Sequence, residues 1–229
     1  GNFKDTADFD PGVGTANLIS VGQEDIFFAK YDISGNYLLA KNIGGSSIDN
    51  GNDITVDAFG NIYLTGAFGG TADFDPGPDT AFLISAGVFD VFIAKYDDSG
   101  NYLWAKSMGG GLSDIGSSIF LDDPGNIYVT GNFRDTADFD PGPDTANLIS
   151  AGASDVFIAK YDSSGNYLWA KNMGGGDIDF GNALSIDSSY NVYVTGKFKD
   201  IADFDSGTDT ANLMSNGNFD IFIAKYSQC

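Results

Sequence analysis

The stretch IYVTGNFRDTADFDPGPDTANLISAGASDVFIAKYDSSGNYLWAKNMGGG, Ile127 to Gly176, decides the fold. Together with the residues just before it, it holds four short apolar runs. These are Ser117 to Asp123, closed by Pro124-Gly125; Asn126 to Phe133; Asp155 to Asp162; and, after the turn Ser163-Ser164-Gly165, Asn166 to Met173. Runs of this length, rich in Ile, Val, Phe, Tyr and Trp and bounded by Gly, Asp and Asn, read as strands A, B, C and D. Tight connections make neighbouring strands antiparallel. Alternation puts Ile127 and Val129 on one face of strand B and Tyr128 on the other, and sets Phe157, Ala159 and Tyr161 of strand C against Ile158. Both faces are apolar, so the sheet is expected to be covered on both sides.

Working outward, the unit repeats. GNFKDTADFDPG at Gly1 returns as GAFGGTADFDPG at Gly66, GNFRDTADFDPG at Gly131 and GKFKDIADFDSG at Gly196, a constant period of 65 residues. The chain therefore divides into repeats 1–65, 66–130 and 131–195 and a partial copy, 196–229, read as one repeat domain. A four-stranded sheet that needs a neighbour on each face is the signature of a β-propeller, with one antiparallel blade per repeat and three and a half repeats present. A linear β-solenoid fits less well, because its coils are much shorter.

Composition agrees and excludes other classes. Of 32 acidic side chains all but Glu24 are aspartate, against 11 basic ones, for a net charge of −21. Good helix formers are scarce while the 31 glycines supply turn chemistry, which excludes a mainly helical protein. So negative a surface repels phosphate backbones and anionic lipid, and no apolar run has membrane-spanning length, so neither nucleic-acid binding nor membrane insertion is expected. No charged-then-apolar leader opens the sequence; any export signal is expected to have been removed or to lie outside this stretch. Cys229 is the only cysteine and histidine is absent, which rules out an internal disulfide framework and every imidazole-based site.

The ordered pattern D-G/S-x-G-N-I/V-Y-V/L-T-G-x-F, D-F-D-P-G, then D-x-F-I-A-K-Y-D-x-S-G-N-Y-L-W-A-K and Gly-Gly resembles the bacterial SBBP β-propeller repeat. The resemblance runs the whole length of the chain. It implies a propeller and an extracellular or cell-surface (secreted) location, and it implies no particular activity.

The ends are out of phase. The first blade contributes only strand C (Asp25 to Asp32) and strand D (Asn36 to Ile43) after the tail of a B strand, and the last stops after strand C, Asp220 to Tyr226. Either the chain is a fragment of a longer propeller, with Cys229 near a cut point, or incomplete terminal blades associate between chains. Head-to-tail contact of that kind gives a ring or a filament.

The sharpest candidate site is the acidic loop between strands B and C. Its candidate metal ligands are Asp8 and Asp10; Asp73, Asp75 and Asp79; Asp138, Asp140 and Asp144; and Asp203, Asp205 and Asp209. Carboxylates two apart share a face, Phe74 points away, and Pro76-Gly77 returns Asp79, making a hard-oxygen set suited to Ca²⁺. Gly14 replaces the last aspartate in the first copy and weakens that site. Asp-Pro-Gly turn chemistry alone is the competing account. Asp25, Asp90, Asp155 and Asp220 before strand C, and Asp57, Asp122 and Asp187 after strand A, read as turn formers or partners of Lys95 and Lys160, or alternatively as an added ligand to the acidic loop. Trp104 and Trp169, taken to share a face with Tyr102 and Tyr167, read as packing between blades or as a sugar platform. Carboxylates repeated in every unit argue against a unique catalytic pair, so the expectation is no enzyme. The chain is read as a structural or adhesive interaction module with a protein or glycan surface partner, stabilised by calcium. The alternative is a carbohydrate-binding propeller.

Overall fold

One turn recurs six times and sets the strand ends. In the A–B turn, Asp57 Oδ1 accepts the amides of Phe59 and Asn61 at 2.9 Å while Oδ2 takes the Asn61 side-chain amide at 2.7 Å. Asp97 does the same in the C–D turn with Ser99 and Asn101. The residue before the asparagine sits in the left-handed region. It is Gly35, Gly60, Gly100, Gly125 and Gly165 in five copies (φ 77–85°), but Tyr190 (φ 62°) in the sixth.

Between these turns the chain forms strands, and the computed structural model describes residues 1–227, among which every regular element is β. The reading attached to Cys229 lies outside the described residues. The first blade contains β1 (Asn2–Phe3), a hairpin of β2 (Thr6–Asp8) and β3 (Asn17–Ile19), then β4 (Asp25–Tyr31) and β5 (Tyr37–Gly45). The second contains β6 (Asp49–Val56), β7 (Ile62–Phe68), the hairpin β8 (Thr71–Asp73) and β9 (Phe82–Ile84), β10 (Asp90–Tyr96) and β11 (Tyr102–Gly110). The third repeats this as β12 (Ile115–Leu121), β13 (Ile127–Phe133), β14 (Thr136–Asp138), β15 (Asn147–Ile149), β16 (Asp155–Tyr161) and β17 (Tyr167–Gly175). The last has β18 (Phe180–Ile186), β19 (Val192–Asp203) and β20 (Asn212–Tyr226), the latter two extended through the hairpin.

Strands A to D pair in order as antiparallel ladders, β6-β7-β10-β11 and β12-β13-β16-β17, with β1-β4-β5 and β18-β19-β20 as incomplete versions. The small hairpins were not expected: their three-residue strands lie in the polar stretch between B and C, too short to show a period. Those of the second, third and last blades reach back to the preceding blade, as where Gly109 and Gly110 of β11 pair with Asp138 and Ala137 of β14. A Cβ on Gly110 would lie 2.0 Å from the Thr136 carbonyl, so this approach is open only to glycine.

The core lies between blades. Strand-C residues Val91 and Ile93, with Met108 and Tyr63, form the leading face of the second blade and pack on Ile127, Val129, Phe133, Phe139, Phe157, Ala159 and Tyr161, the trailing face of the third. Ile26, Phe28 and Ile43 meet Ile62, Leu64, Phe68, Phe74, Phe92 and Tyr96 in the same way, and Val156, Ile158, Met173 and Tyr128 meet Val192, Val194, Phe198, Phe204 and Phe222. The two-faced alternation read from strands B and C is what the structure has.

Phe157→Ala should cost about 3–5 kcal/mol in chemical denaturation, since Phe157 is fully buried against Phe139 at 4.7 Å. Tyr190→Gly should raise stability by about 1 kcal/mol, because it relieves the one turn copy that holds a β-carbon in the left-handed region. A fall in melting temperature for Tyr190→Gly would show that the ring's contacts outweigh the backbone strain.

Candidate functional site

In the acidic loop, Phe139 is the anchor. It is fully buried between Phe133 and Phe157, and the Tyr161 hydroxyl donates to its carbonyl at 3.0 Å. The aspartates beside it turn onto their own backbone. Asp138 Oδ1 accepts the amides of Asp140 (3.0 Å) and Ala146 (2.8 Å), and Asp140 Oδ1 accepts from Gly142 (2.7 Å). Asp8 with Asp10, Asp73 with Asp75, and Asp203 with Asp205 repeat these bonds. Asp79, Asp144 and Asp209 are exposed. Among the described residues no group of three or more His, Cys, Asp or Glu side chains is gathered so that it could hold a metal ion. Turn chemistry accounts for the contacts these loops make.

Strand-end aspartates divide into two kinds. Asp57, Asp122 and Asp187 are the turn formers described above, and Asp122 also lies 3.8 Å from Lys160 Nζ. Hydrogen bonds from the Asn191 side chain and backbone hold Asp187 down to about 2. Asp25, Asp90 and Asp155 behave differently: they are buried, and each lies beside a second buried aspartate from the next blade, Asp49, Asp114 and Asp179. Parallel bridges bring them together. Glu24 pairs with Ile48, Phe89 with Ser113 and Ser154 with Ile178, and the Asp49, Asp114 and Asp179 amides donate at 2.8 Å to the carbonyls of Glu24, Phe89 and Ser154. Asp49, Asp114 and Asp179 escaped the sequence reading, although they recur with the 65-residue period like the residues that were singled out.

The aromatic reading needs correcting. Tyr102 and Trp104 do not share a face. The register shifts between Lys95 and Tyr96, so Lys95 opposes Trp104 while Tyr96 opposes Tyr102, and Leu103 is an extra, bulged residue. Tyr102 therefore joins Tyr96 on the trailing side, whereas Trp104 meets Tyr63 edge-on at 6.4 Å on the leading side. The same bulge separates Tyr167 from Trp169. The C–D turn of the next blade covers Trp104 so closely that a Cβ on Gly165 would lie 3.0 Å from the indole. These tryptophans sit in the packing between blades, and Trp169 also lines a cavity of about 440 Å³ with Lys171 and Tyr226.

Residues 41–67, from the end of β5 through β6 to β7, match the family model for SBBP, a beta-propeller repeat. That stretch is an SBBP β-propeller repeat. The chain is also 28% identical over 219 residues to an uncharacterized WD repeat-containing protein of Acanthamoeba polyphaga mimivirus, covering 83% of this chain and 16% of that protein. It is 28% identical over 141 residues to the regulatory protein FlaEY of Caulobacter vibrioides, covering 62% of this chain and 14% of that one. The chain thus spans only about a sixth of the length of the relatives it matches. No helix among the described residues is long and apolar enough to cross a membrane.

If turn formation is the work of the acidic loop, Asp138→Ala should speed hydrogen exchange at the Asp140 and Ala146 amides and leave the Asp73 loop unchanged. Unaltered exchange at both amides would refute that role.

Proposed function

We propose that this chain is a non-catalytic protein-interaction module that works outside the cell and binds through the sheet faces of its end blades. One observation carries this reading. Ile221 and Ile223 on the leading face of the last blade are 81% and 76% exposed, while Val91, Ile93 and Val156 at matching positions are fully buried. At the other end Tyr31 is 41% exposed, where Tyr96 and Tyr161 are fully buried. These two faces are the two halves of an interface that the chain itself builds three times. The partner that fits the exposed leading face is the trailing face of another SBBP repeat, and a second copy of the chain in head-to-tail contact is one source of it.

Support also comes from the relatives' names, which speak of repeats and regulation, and from the lack of histidine in a set of near-identical blades. The reading needs no calcium at the acidic loops, whose inner oxygens already accept backbone amides. Nor does it need a glycan, because the bulge at Leu103 breaks up the aromatic platform.

Sedimentation velocity tests the reading. Wild-type chain should associate as concentration rises, and Ile223→Asp should shift the equilibrium to monomer without changing the far-ultraviolet spectrum. A chain that stays monomeric at all concentrations would exclude the second copy as partner.

A further inference from the structure

At each junction two carboxylates from neighbouring blades are buried with an oxygen to spare. Asp25 and Asp49 are both 0% exposed, Asp90 and Asp114 are 3% and 0%, and Asp155 and Asp179 are 1% and 0%. Oδ2 of Asp25, Asp90 and Asp155 accepts the amide of Val21, Ala86 or Ala151 at 2.9 Å, but Oδ1 of all three has no hydrogen-bond partner. Across the junction, Oδ2 of Asp49, Asp114 and Asp179 accepts the backbone amides of Gly45, Gly110 and Gly175 at 2.7 Å, and Oδ1 the backbone amides of Gly69, Arg134 and Lys199 at 3.0–3.2 Å.

The unpartnered oxygen and its neighbour converge on one spot. A Cβ on Gly44 would lie 2.9 Å from both Asp25 Oδ1 and Asp49 Oδ2. For Gly109 the distances are 2.8 Å to Asp90 and 2.9 Å to Asp114, and for Gly174 they are 2.8 Å to both Asp155 and Asp179. Glycine keeps that space free of side chain.

We propose that each of the three junctions binds a hard divalent cation, calcium or magnesium, between the paired carboxylates Asp25 and Asp49, Asp90 and Asp114, and Asp155 and Asp179. An oxygen-only pair of carboxylates suits these ions and no softer metal, with backbone or water oxygens filling the remaining positions. Without a counter-ion the arrangement is costly, since two like charges share a buried site. Burial, with a smaller contribution from the neighbouring aspartate, pushes Asp49, Asp114 and Asp155 up to about 6, and burial also raises Asp90 and Asp179.

Nearby charged groups do not remove the problem. Gly69 stands in the first junction where the others have Arg134 and Lys199. Arg134 draws Asp114 down less than burial raises it, and Asn172 does no more for Asp155. Lys199 is engaged with Asp177 at 2.7 Å, and Asp177 itself raises Asp179. Bound cations would staple consecutive blades together, which goes beyond the interaction role proposed above and does not depend on it.

The test is a melting experiment at pH 7.5 on EDTA-treated full-length chain, with calcium and magnesium added in separate arms. At least one ion should raise the melting temperature by several degrees. Asp49→Asn/Asp114→Asn/Asp179→Asn should lose most of that rise, while Asp79→Asn/Asp144→Asn/Asp209→Asn keeps it. No rise with either ion in the wild-type chain overturns the proposal. So does a rise that survives the first set of substitutions or disappears with the second, which would move the cation to the acidic loops. Should the first variant fail to fold, calorimetric titration of the wild type decides. The proposal requires about three sites per chain, and the absence of saturable binding of either ion overturns it. A melting temperature that climbs from pH 7.5 to pH 5 equally with and without metal shows a shared proton in place of the ion, which also overturns it.

Discussion

Everything in this structure depends on the burial of both faces of each sheet. Strand C shows why. In β16, Val156 and Ile158 face the next blade while Phe157, Ala159 and Tyr161 face the previous one, and all five are within 2% of full burial. Such a strand has no solvent side, so a blade alone would leave an apolar face bare. Stability is then a property of junctions, as expected for repeats that touch only their neighbours. Leading and trailing faces differ: in the second and third blades the leading side is aliphatic with a tyrosine and a tryptophan, and the trailing side is rich in phenylalanine. That difference gives the stack a direction.

The junctions are also tied by backbone. Gly44-Gly45, Gly109-Gly110 and Gly174-Gly175 end strand D without side chains, so the hairpin of the next blade can pair with it. A parallel bridge then joins the residue before strand C to the residue before Asp49, Asp114 or Asp179 in the next blade. This main-chain path is what carries Asp25 to Asp49, Asp90 to Asp114 and Asp155 to Asp179. The buried carboxylate pairs are thus a direct consequence of how blades are laced together, and the same glycines that permit the lacing leave room beside the carboxylates.

How much of this could be read beforehand follows the range of each interaction. Strands A to D, their order and the faces of Ile127, Tyr128, Phe157 and Ile158 were legible, because a period of two and D-x-x-G-N turns are local signals. The hairpins β8–β9 and β14–β15 were not, since Thr-Ala-Asp and Asn-Leu-Ile are too short and polar to announce a strand and form by pairing with another blade. The bulge at Leu103 was equally hidden: it adds one residue to an otherwise regular alternation, and only the ladder with β10 reveals it. Phe74 and Phe139 as buried anchors were legible, and so was the turn chemistry beside them. The pairing of Asp90 with Asp114 was not, because the two are separated along the chain by a whole C–D hairpin and meet across a junction.

The many aspartates therefore do two different things, and their surroundings decide which. Those in the strand-end turns, such as Asp32, Asp97 and Asp187, accept amides at the surface and are held below the usual carboxylate range, Asp32 and Asp187 chiefly by the asparagine side chain and Asp97 chiefly by the Asn101 amide. Their stabilisation is present at neutral pH and is lost as pH falls through the lowered range. Those in the acidic loops do the same work on a wider turn. The junction pairs have the opposite sign. With Asp49, Asp114 and Asp155 raised to about 6 by burial, a bare pair favours the fold below the ordinary carboxylate range and loses that advantage as pH rises through the raised one. One residue type thus opposes itself across the pH scale, and at neutral pH the strain is concentrated at the blade junctions. A fold whose stability resides in its junctions places there the buried carboxylates, Asp25, Asp90 and Asp155, that among the described residues keep an oxygen without a hydrogen bond.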